Sequence, residues 1–349
     1  MTNLQTSESV LPGHPDKICD FIADSILDAH LSVDPDSRCA VEVLAKGYNI
    51  VLSGEVTSRA YVDVCDVARN AITSINRTTY GGKIHNFISQ QAPQLNAVVN
   101  AGFAGDQGIM FGFACNETHC LLPTSIYYAH KLSKALYDRF DGFKILADGK
   151  TQVSVEYDGW TPKRIHTVVA SVQHHLDYPV KQVRANLTAI IKEVLPVDDR
   201  TIILANHQPW PFTSGSFYAD CGLTGRKVVV DAYGSASRVG GGAYSGKDAS
   251  KVDRSAALMA RFAARQIVLQ GIAKRVEVEV AYVIGSENPV ALQSNVPSGC
   301  GDESAATAYI RSLDWRPAAI IERLDLKKPI YSRTTNFSPY GRGQFAWEK

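Results

Sequence analysis

The residues best able to do chemistry lie between positions 220 and 254. Asp220-Cys221-Gly222-Leu223-Thr224-Gly225-Arg226-Lys227 is followed by Gly240-Gly241-Gly242-Ala243-Tyr244-Ser245-Gly246-Lys247-Asp248 and by Lys251-Val252-Asp253-Arg254. Arg226, Lys227, Lys247 and Lys251 can offer four cations to one polyanion. The glycines between them let backbone N–H groups approach phosphate oxygens closely. Asp248 and Asp253 stand among these cations, and Mg²⁺ takes one or two carboxylates plus phosphate oxygens rather than an all-protein cage. A single lysine here would read as a solvated charge; the density of the cluster points to a nucleotide polyphosphate. The Walker A pattern is not met, because Lys247 precedes Asp248 and not Ser or Thr. No Ser–His–Asp nucleophile set is apparent. The chemistry expected is positioning plus electrostatic stabilisation of a departing polyphosphate.

A second constellation opens the chain, at Gly13-His14-Pro15-Asp16-Lys17. Pro15 suits a first helical turn, and Ile18, Ile22 and Ile26 continue at helical spacing. His14 and Asp16 therefore sit at a helix N-terminus, where anions are favoured. Asp16 is equally explained as an acid complementing the helix dipole. Glu42 and Glu55 fall on a strand hairpin, Val41–Ala45 with Ile50–Leu52, and strand acids on a solvated face are ordinary. Residues 89–105 lack periodicity and read either as a loop closing over a site or as an interdomain linker.

The elements that must position these groups repeat. Hairpin then helix recurs at 41–76 (helix over 59–76), at 151–194 (strands 151–158 and 165–173, helix 180–194) and late in the chain. The late unit takes in Val228-Val229-Val230, alternation at Val276–Tyr282 and a helix over 305–313. Gly108–Ala114 reads as a strand, 123–140 and 255–269 as helices. The fold expected is α+β: three similar domains, each a mixed or antiparallel sheet with helices on one face, in pseudo-threefold arrangement. The boundaries expected are 1–92, a candidate gating loop at 93–104, then 105–225 and 226–349, with segments open to exchange.

Composition narrows the function class. Lys plus Arg number 36 and Asp plus Glu 35, so nothing global attracts nucleic acid or anionic membrane, and a local cation cluster calls for a local ligand. The seven cysteines form no C-x-x-C pair, and Cys115 and Cys120 lack partners for a zinc pattern; buried reduced thiols are expected. No signal pattern opens the chain and no apolar run reaches membrane-spanning length, so a cytoplasmic protein is expected.

The motifs closely resemble those of the S-adenosylmethionine synthetases. Thr6–Val10 with Gly13–Lys17 resembles the family's opening, and Ala104–Gly112 and Gly240–Asp248 resemble its two signatures. The likeness recurs at Asp220–Lys227, Lys251–Arg254 and Phe345–Lys349, in the family's order, along essentially the whole chain. It implies attack of methionine sulfur on C5′ of ATP, with triphosphate then cleaved to pyrophosphate and phosphate. It implies a homodimer, or a dimer of dimers, with active sites shared between subunits. It assigns ATP contacts to His14, Asp148, Gly149, Lys150, Phe212, Asp220, Arg226, Lys227, Ala243, Lys247 and Lys251. It assigns catalysis to His14, Lys150, Lys247 and Lys251, and methionine contacts to Glu55, Gln91, Asp106, Asp220 and Lys251. Two Mg²⁺ would use Asp16 and Asp253, and K⁺ would use Glu42. A thioether has no proton to remove, which explains the missing base. Phe103, Val239, Tyr244 and His207–Phe212 depart from the family pattern, and the stretch between Gln91 and Asp106 is short. A polyphosphatase with altered methionine use, or a degenerate regulatory subunit, are the competing readings.

Overall fold

The computed structural model describes residues 3–78, 80–91, 102–140 and 142–349. Apart from residues 102–104, the candidate gating loop lies outside the described residues. In chain order the main elements are β1 Asn3–Val10, α1 Pro15–Leu31, β2 Arg38–Lys46, β3 Asn49–Thr57, α2 Val64–Asn76, β4 Lys83–Ser89 and β5 Gly108–Cys115. They continue with α3 Thr124–Asp138, β6 Ile145–Asp158, β7 Thr161–His174, α4 Val180–Val194, β8 Ile202–Ala205 and β9 Gly222–Leu223. The last are α5 Val252–Leu269, β10 Arg275–Tyr282, β11 Ala291–Asn295, α6 Glu303–Arg311 and α7 Pro317–Arg323.

These strands form three sheets, ordered β1-β6-β7-β8, β4-β3-β2-β9 and β11-β10-β5. The first two are mixed, because β8 and β4 run parallel to their neighbours; the third is antiparallel. Alternation decides which face of each sheet is buried. In β2, Val41, Val43 and Ala45 are buried while Glu42 and Leu44 face outward. The inner faces pack on α1 and α2, on α3 and α4, and on α5 and α6, giving one apolar core per sheet. Gly112 of β5 lies so close to α5 that an added Cβ would stand 2.0 Å from the carbonyl carbon of Ala260. A side chain there would push the helix off the sheet.

All three sheets recruit strands from distant sequence, the second through β9 on β2 (Leu223 opposite Leu44). β1 pairs with β6 (Val10 opposite Lys150), and β5 pairs with β10 (Gly112 opposite Val278). Two expectations need correction. The helix anticipated over 59–76 starts at Val64, because the Asp63 carboxylate caps it by accepting from the Cys65 and Asp66 N–H groups. Val228-Val229-Val230 is no strand but a helical turn, Val228–Asp231, closed by the Asp231 N–H on the Lys227 carbonyl. The cysteines are all free, but Cys65, Cys120 and Cys221 are only half-buried.

Candidate active site

The site begins with how the chain enters α1. The Leu11 N–H donates to the Gly149 carbonyl at 2.9 Å and the Gly13 N–H to the Ala147 carbonyl at 3.0 Å. This clips the loop before the helix to β6 and brings His14 beside Asp148, Gly149 and Lys150. His14 caps α1, its Nδ1 accepting the Asp16 N–H at 3.2 Å, which leaves the ring proton on Nε2. Burial, with Lys227 and Lys150 nearby, lowers its pKa to about 3, so the imidazole is a neutral donor. Lys150 is exposed. Asp148 accepts the Ser216 N–H at 2.6 Å, and burial raises its carboxyl to about 6 against that bond and one from Gly149.

Asp16 is the hub of this group. Its Oδ1 accepts from the Leu223 N–H at 3.0 Å and Arg226 Nε at 2.9 Å, and its Oδ2 from Lys227 Nζ at 2.6 Å. Burial pushes the carboxyl up, but the bonds from Lys227, Leu223 and Arg226 outweigh it and keep Asp16 ionised. Phe212 is half-buried, and its carbonyl accepts the His174 N–H at the end of β7. Asp220 is exposed, with Oδ1 on the Cys221 N–H.

A second group surrounds the start of α5. Lys247 Nζ lies 2.7 Å from Asp253 Oδ2, and Lys251 Nζ lies 2.5 Å from Asp248 Oδ2. Gly242 leaves room for the Asp253 carboxylate; a Cβ there would stand 2.1 Å from its carboxyl carbon. Ala243 is half-buried behind Gly225. The four cations are thus divided: Arg226 and Lys227 share Asp16, Lys247 takes Asp253 and Lys251 takes Asp248. Each cation is held in place by a carboxylate that a phosphate can replace.

The remaining candidates lie on the sheets. Glu42 is exposed on β2, within electrostatic reach of Lys247 and hydrogen-bonding reach of the Thr224 side chain. Glu55 is exposed on β3 opposite Ser89 of β4, and Gln91 follows two residues later, buried with its Oε1 unpartnered among the described residues. Asp106 is exposed ahead of β5 and accepts only the Gln107 N–H among the described residues.

The sequence reading missed one device. Asp16, Asp20, Asp24 and Asp28 recur every fourth residue along one face of α1. Asp20 accepts the Gly225 N–H at 2.8 Å, and Asp24 accepts the Gly246 N–H at 2.9 Å together with both Arg254 terminal nitrogens. Asp28 accepts the Tyr331 and Ser332 N–H groups. One helix thereby fastens both glycine-rich loops. The fourfold spacing was the available signal.

Comparison with known proteins decides the family. Three profiles cover the chain in order: S-adenosylmethionine synthetase, N-terminal domain, over 2–97; central domain, over 101–209; and C-terminal domain, over 214–349. The chain belongs to the S-adenosylmethionine synthetase family. It is 43% identical to the S-adenosylmethionine synthase of Sorangium cellulosum, over 99% of this chain and 87% of that one. It is 44% identical to that of Desulfosudis oleivorans, over 99% and 96%. For the enzyme of Brachyspira hyodysenteriae the figures are 41%, 99% and 95%. In this member of the synthetase family, no described cluster of three or more His, Cys, Asp or Glu side chains could cage a metal. The carboxylates of Asp16 and Asp253, each already paired with a cation, fit Mg²⁺ shared with phosphate oxygens. No helix among the described residues is long and apolar enough to cross a membrane.

Proposed function

We propose that this protein makes S-adenosylmethionine from ATP and L-methionine. The observation that carries the reading is the pair of phosphate-ready groups, Asp16 with Arg226 and Lys227, and Asp253 with Lys247, in a chain of this family. The methionine sulfur attacks C5′ in line, the C5′–O5′ bond breaks, and triphosphate leaves with the electron pair. Water then cleaves triphosphate to pyrophosphate and phosphate. Arg226, Lys227, Lys247 and Lys251 take up the charge developing on the leaving oxygens. Held in place beforehand, they need no reorganisation as the bond breaks. Neutral His14 donates from Nε2 toward the same region. Lys150, Asp148 and Gly149 hold the nucleotide, with Phe212 against adenine. Glu55, Gln91, Asp106, Asp220 and Lys251 hold methionine, so that sulfur and C5′ meet at attack distance. Two Mg²⁺ on Asp16 and Asp253 would neutralise triphosphate charge, and K⁺ would sit by Glu42.

The working unit we propose is a homodimer with shared sites, built from three domains in pseudo-threefold arrangement. Each sheet packs helices against one face, and the outward faces carry exposed Leu44, Phe87 and Ile109. Such apolar faces favour pairing. The Asp16 and Asp253 clusters are each bonded internally, and no ion pair among the described residues joins one to the other. In a dimer with shared sites, each would meet its counterpart on a second chain. The seven free thiols suit a reducing, cytoplasmic setting.

The test is product analysis with ATP, methionine, Mg²⁺ and K⁺. S-adenosylmethionine, pyrophosphate and phosphate are expected in equal amounts. Phosphate without the sulfonium product would replace this reading with a polyphosphatase, and no product at all would leave a binding subunit.

A further inference from the structure

A cavity of about 480 Å³ lies between α7 and the turn at Gly102-Phe103. That volume falls in the range of small-molecule sites, roughly 300–1,000 Å³. None of its lining residues belongs to the substrate groups described above. One wall is apolar, with Phe103, Ile321 and Leu326. Arg38 and Ser250 also line the cavity. Both have unmet hydrogen-bonding capacity: Arg38 Nε and Ser250 Oγ are buried with no partner among the described residues. Ser250 is 3% exposed, so water does not satisfy it in bulk. Those two atoms are sealed from the cavity; the part of the wall that can meet an anionic head is the rest of the Arg38 guanidinium, whose side chain is 18% exposed.

We propose that this cavity binds a small amphipathic anion, its head group on the Arg38 guanidinium and its apolar body against Phe103, Ile321 and Leu326. Glu322, Asp325 and Lys327 also line the cavity, so two acids stand against the two bases Arg38 and Lys327, a balance that suits a single charged head such as a carboxylate or sulfonate better than a polyanion.

The position gives such a ligand a route to the substrate site. Arg38 Nη1 lies 3.8 Å from Asp248 Oδ1, and the Ser250 N–H donates to the same oxygen at 2.8 Å. The other oxygen, Oδ2, holds Lys251 Nζ at 2.5 Å. An anion that draws Arg38 away leaves Asp248 more fully committed to Lys251. Lys251 is then less available to phosphate, and KM for ATP rises. This effect on turnover rests on the proposed role of Lys251; the binding itself does not.

The probe is anilinonaphthalene sulfonate, which joins one sulfonate to an apolar ring system. Fluorescence titration of the full chain is expected to give saturable binding that saturating ATP does not displace. Ala318, an exposed lining residue, becomes bulky in Ala318→Trp, which fills the cavity without touching the substrate groups. That variant is expected to keep wild-type turnover without probe and to bind the probe at least about tenfold more weakly. Arg38→Gln, which removes the charge and keeps a polar side chain, is expected to weaken binding by about tenfold as well. In the wild type the probe raises KM for ATP; in Ala318→Trp it does not. Displacement of the probe by ATP, or equal binding by wild type and both variants, would overturn the proposal. So would absence of saturable binding to the wild type. Because the titration needs no turnover, its outcome is separate from whether the protein makes S-adenosylmethionine.

Discussion

Lys247→Ala is expected to lower kcat/KM for ATP by about 10²–10³-fold while the chain remains folded, the loss typical of removing one preorganised donor from a site of developing negative charge. Lys247 is poised for this role. Its amine is held 2.7 Å from Asp253 by a loop clamped on both sides. The Val41 N–H donates to the Gly246 carbonyl at 3.0 Å, and the Gly246 N–H donates to Asp24 at 2.9 Å. Removing the amine leaves the Asp253 carboxylate in the first turn of α5, where the helix dipole favours an acid. Stability should therefore change little, and the loss should fall on catalysis. Steady-state production of S-adenosylmethionine, run beside a thermal melt, checks both parts. A variant as active as the wild type would remove Lys247 from the leaving-group side.

The second large effect is on stability. Arg254→Ala should destabilise the protein by about 3–5 kcal/mol, because it strands a buried carboxylate. Arg254 Nη1 and Nη2 lie 2.6 and 2.9 Å from the two Asp24 oxygens, with both side chains nearly sealed from solvent. The guanidinium also stacks 4.3 Å above Tyr331. Burial works against both charges, yet Asp24 is held below and Arg254 above the ordinary values, because each answers the other. Replacing both, as Asp24→Leu with Arg254→Met, should cost less than Arg254→Ala alone, since no unpaired charge remains. Urea denaturation of the three proteins measures this. A loss below about 1 kcal/mol for Arg254→Ala, the range of surface pairs, would contradict it. Because Asp24 also holds Gly246, variants at this pair should disturb Lys247 as well.

Local structure was legible where local physics decides it. Pro15 with Ile18, Ile22 and Ile26 gave α1, clean alternation gave β6 and β7, and α4 fell on Val180–Val194 as expected. Strand partners were another matter. Nothing in residues 3–10 says that they pair with β6, and nothing in Gly108–Cys115 says that it joins β10. Both pairings bridge more than a hundred residues, and propensity carries no information about them. Val228–Val230 misled because a short apolar run is compatible with strand and helix alike. The candidate site was legible as a cluster of cations and glycines, but not in how its charges divide. The four aspartates of α1 illustrate why. Acids at helical spacing ordinarily mark a solvated face, and buried acids are exceptions that become visible only with their partners. Here the partners are backbone N–H groups of loops some two hundred residues away, such as Gly225 for Asp20 and Gly246 for Asp24.

The central claim is that one catalytic site is assembled from the Asp16–Lys227 group of one chain and the Lys247–Asp253 group of another. Subunit complementation tests it most directly. Lys227→Ala and Lys247→Ala chains carrying different affinity tags are co-expressed, and the mixed dimer is isolated. Shared sites place both substitutions in one site and leave the other intact, so S-adenosylmethionine production should recover to about half the wild-type rate per dimer. If each site lay within one chain, every site would carry a defect, and activity would stay at the level of the single variants.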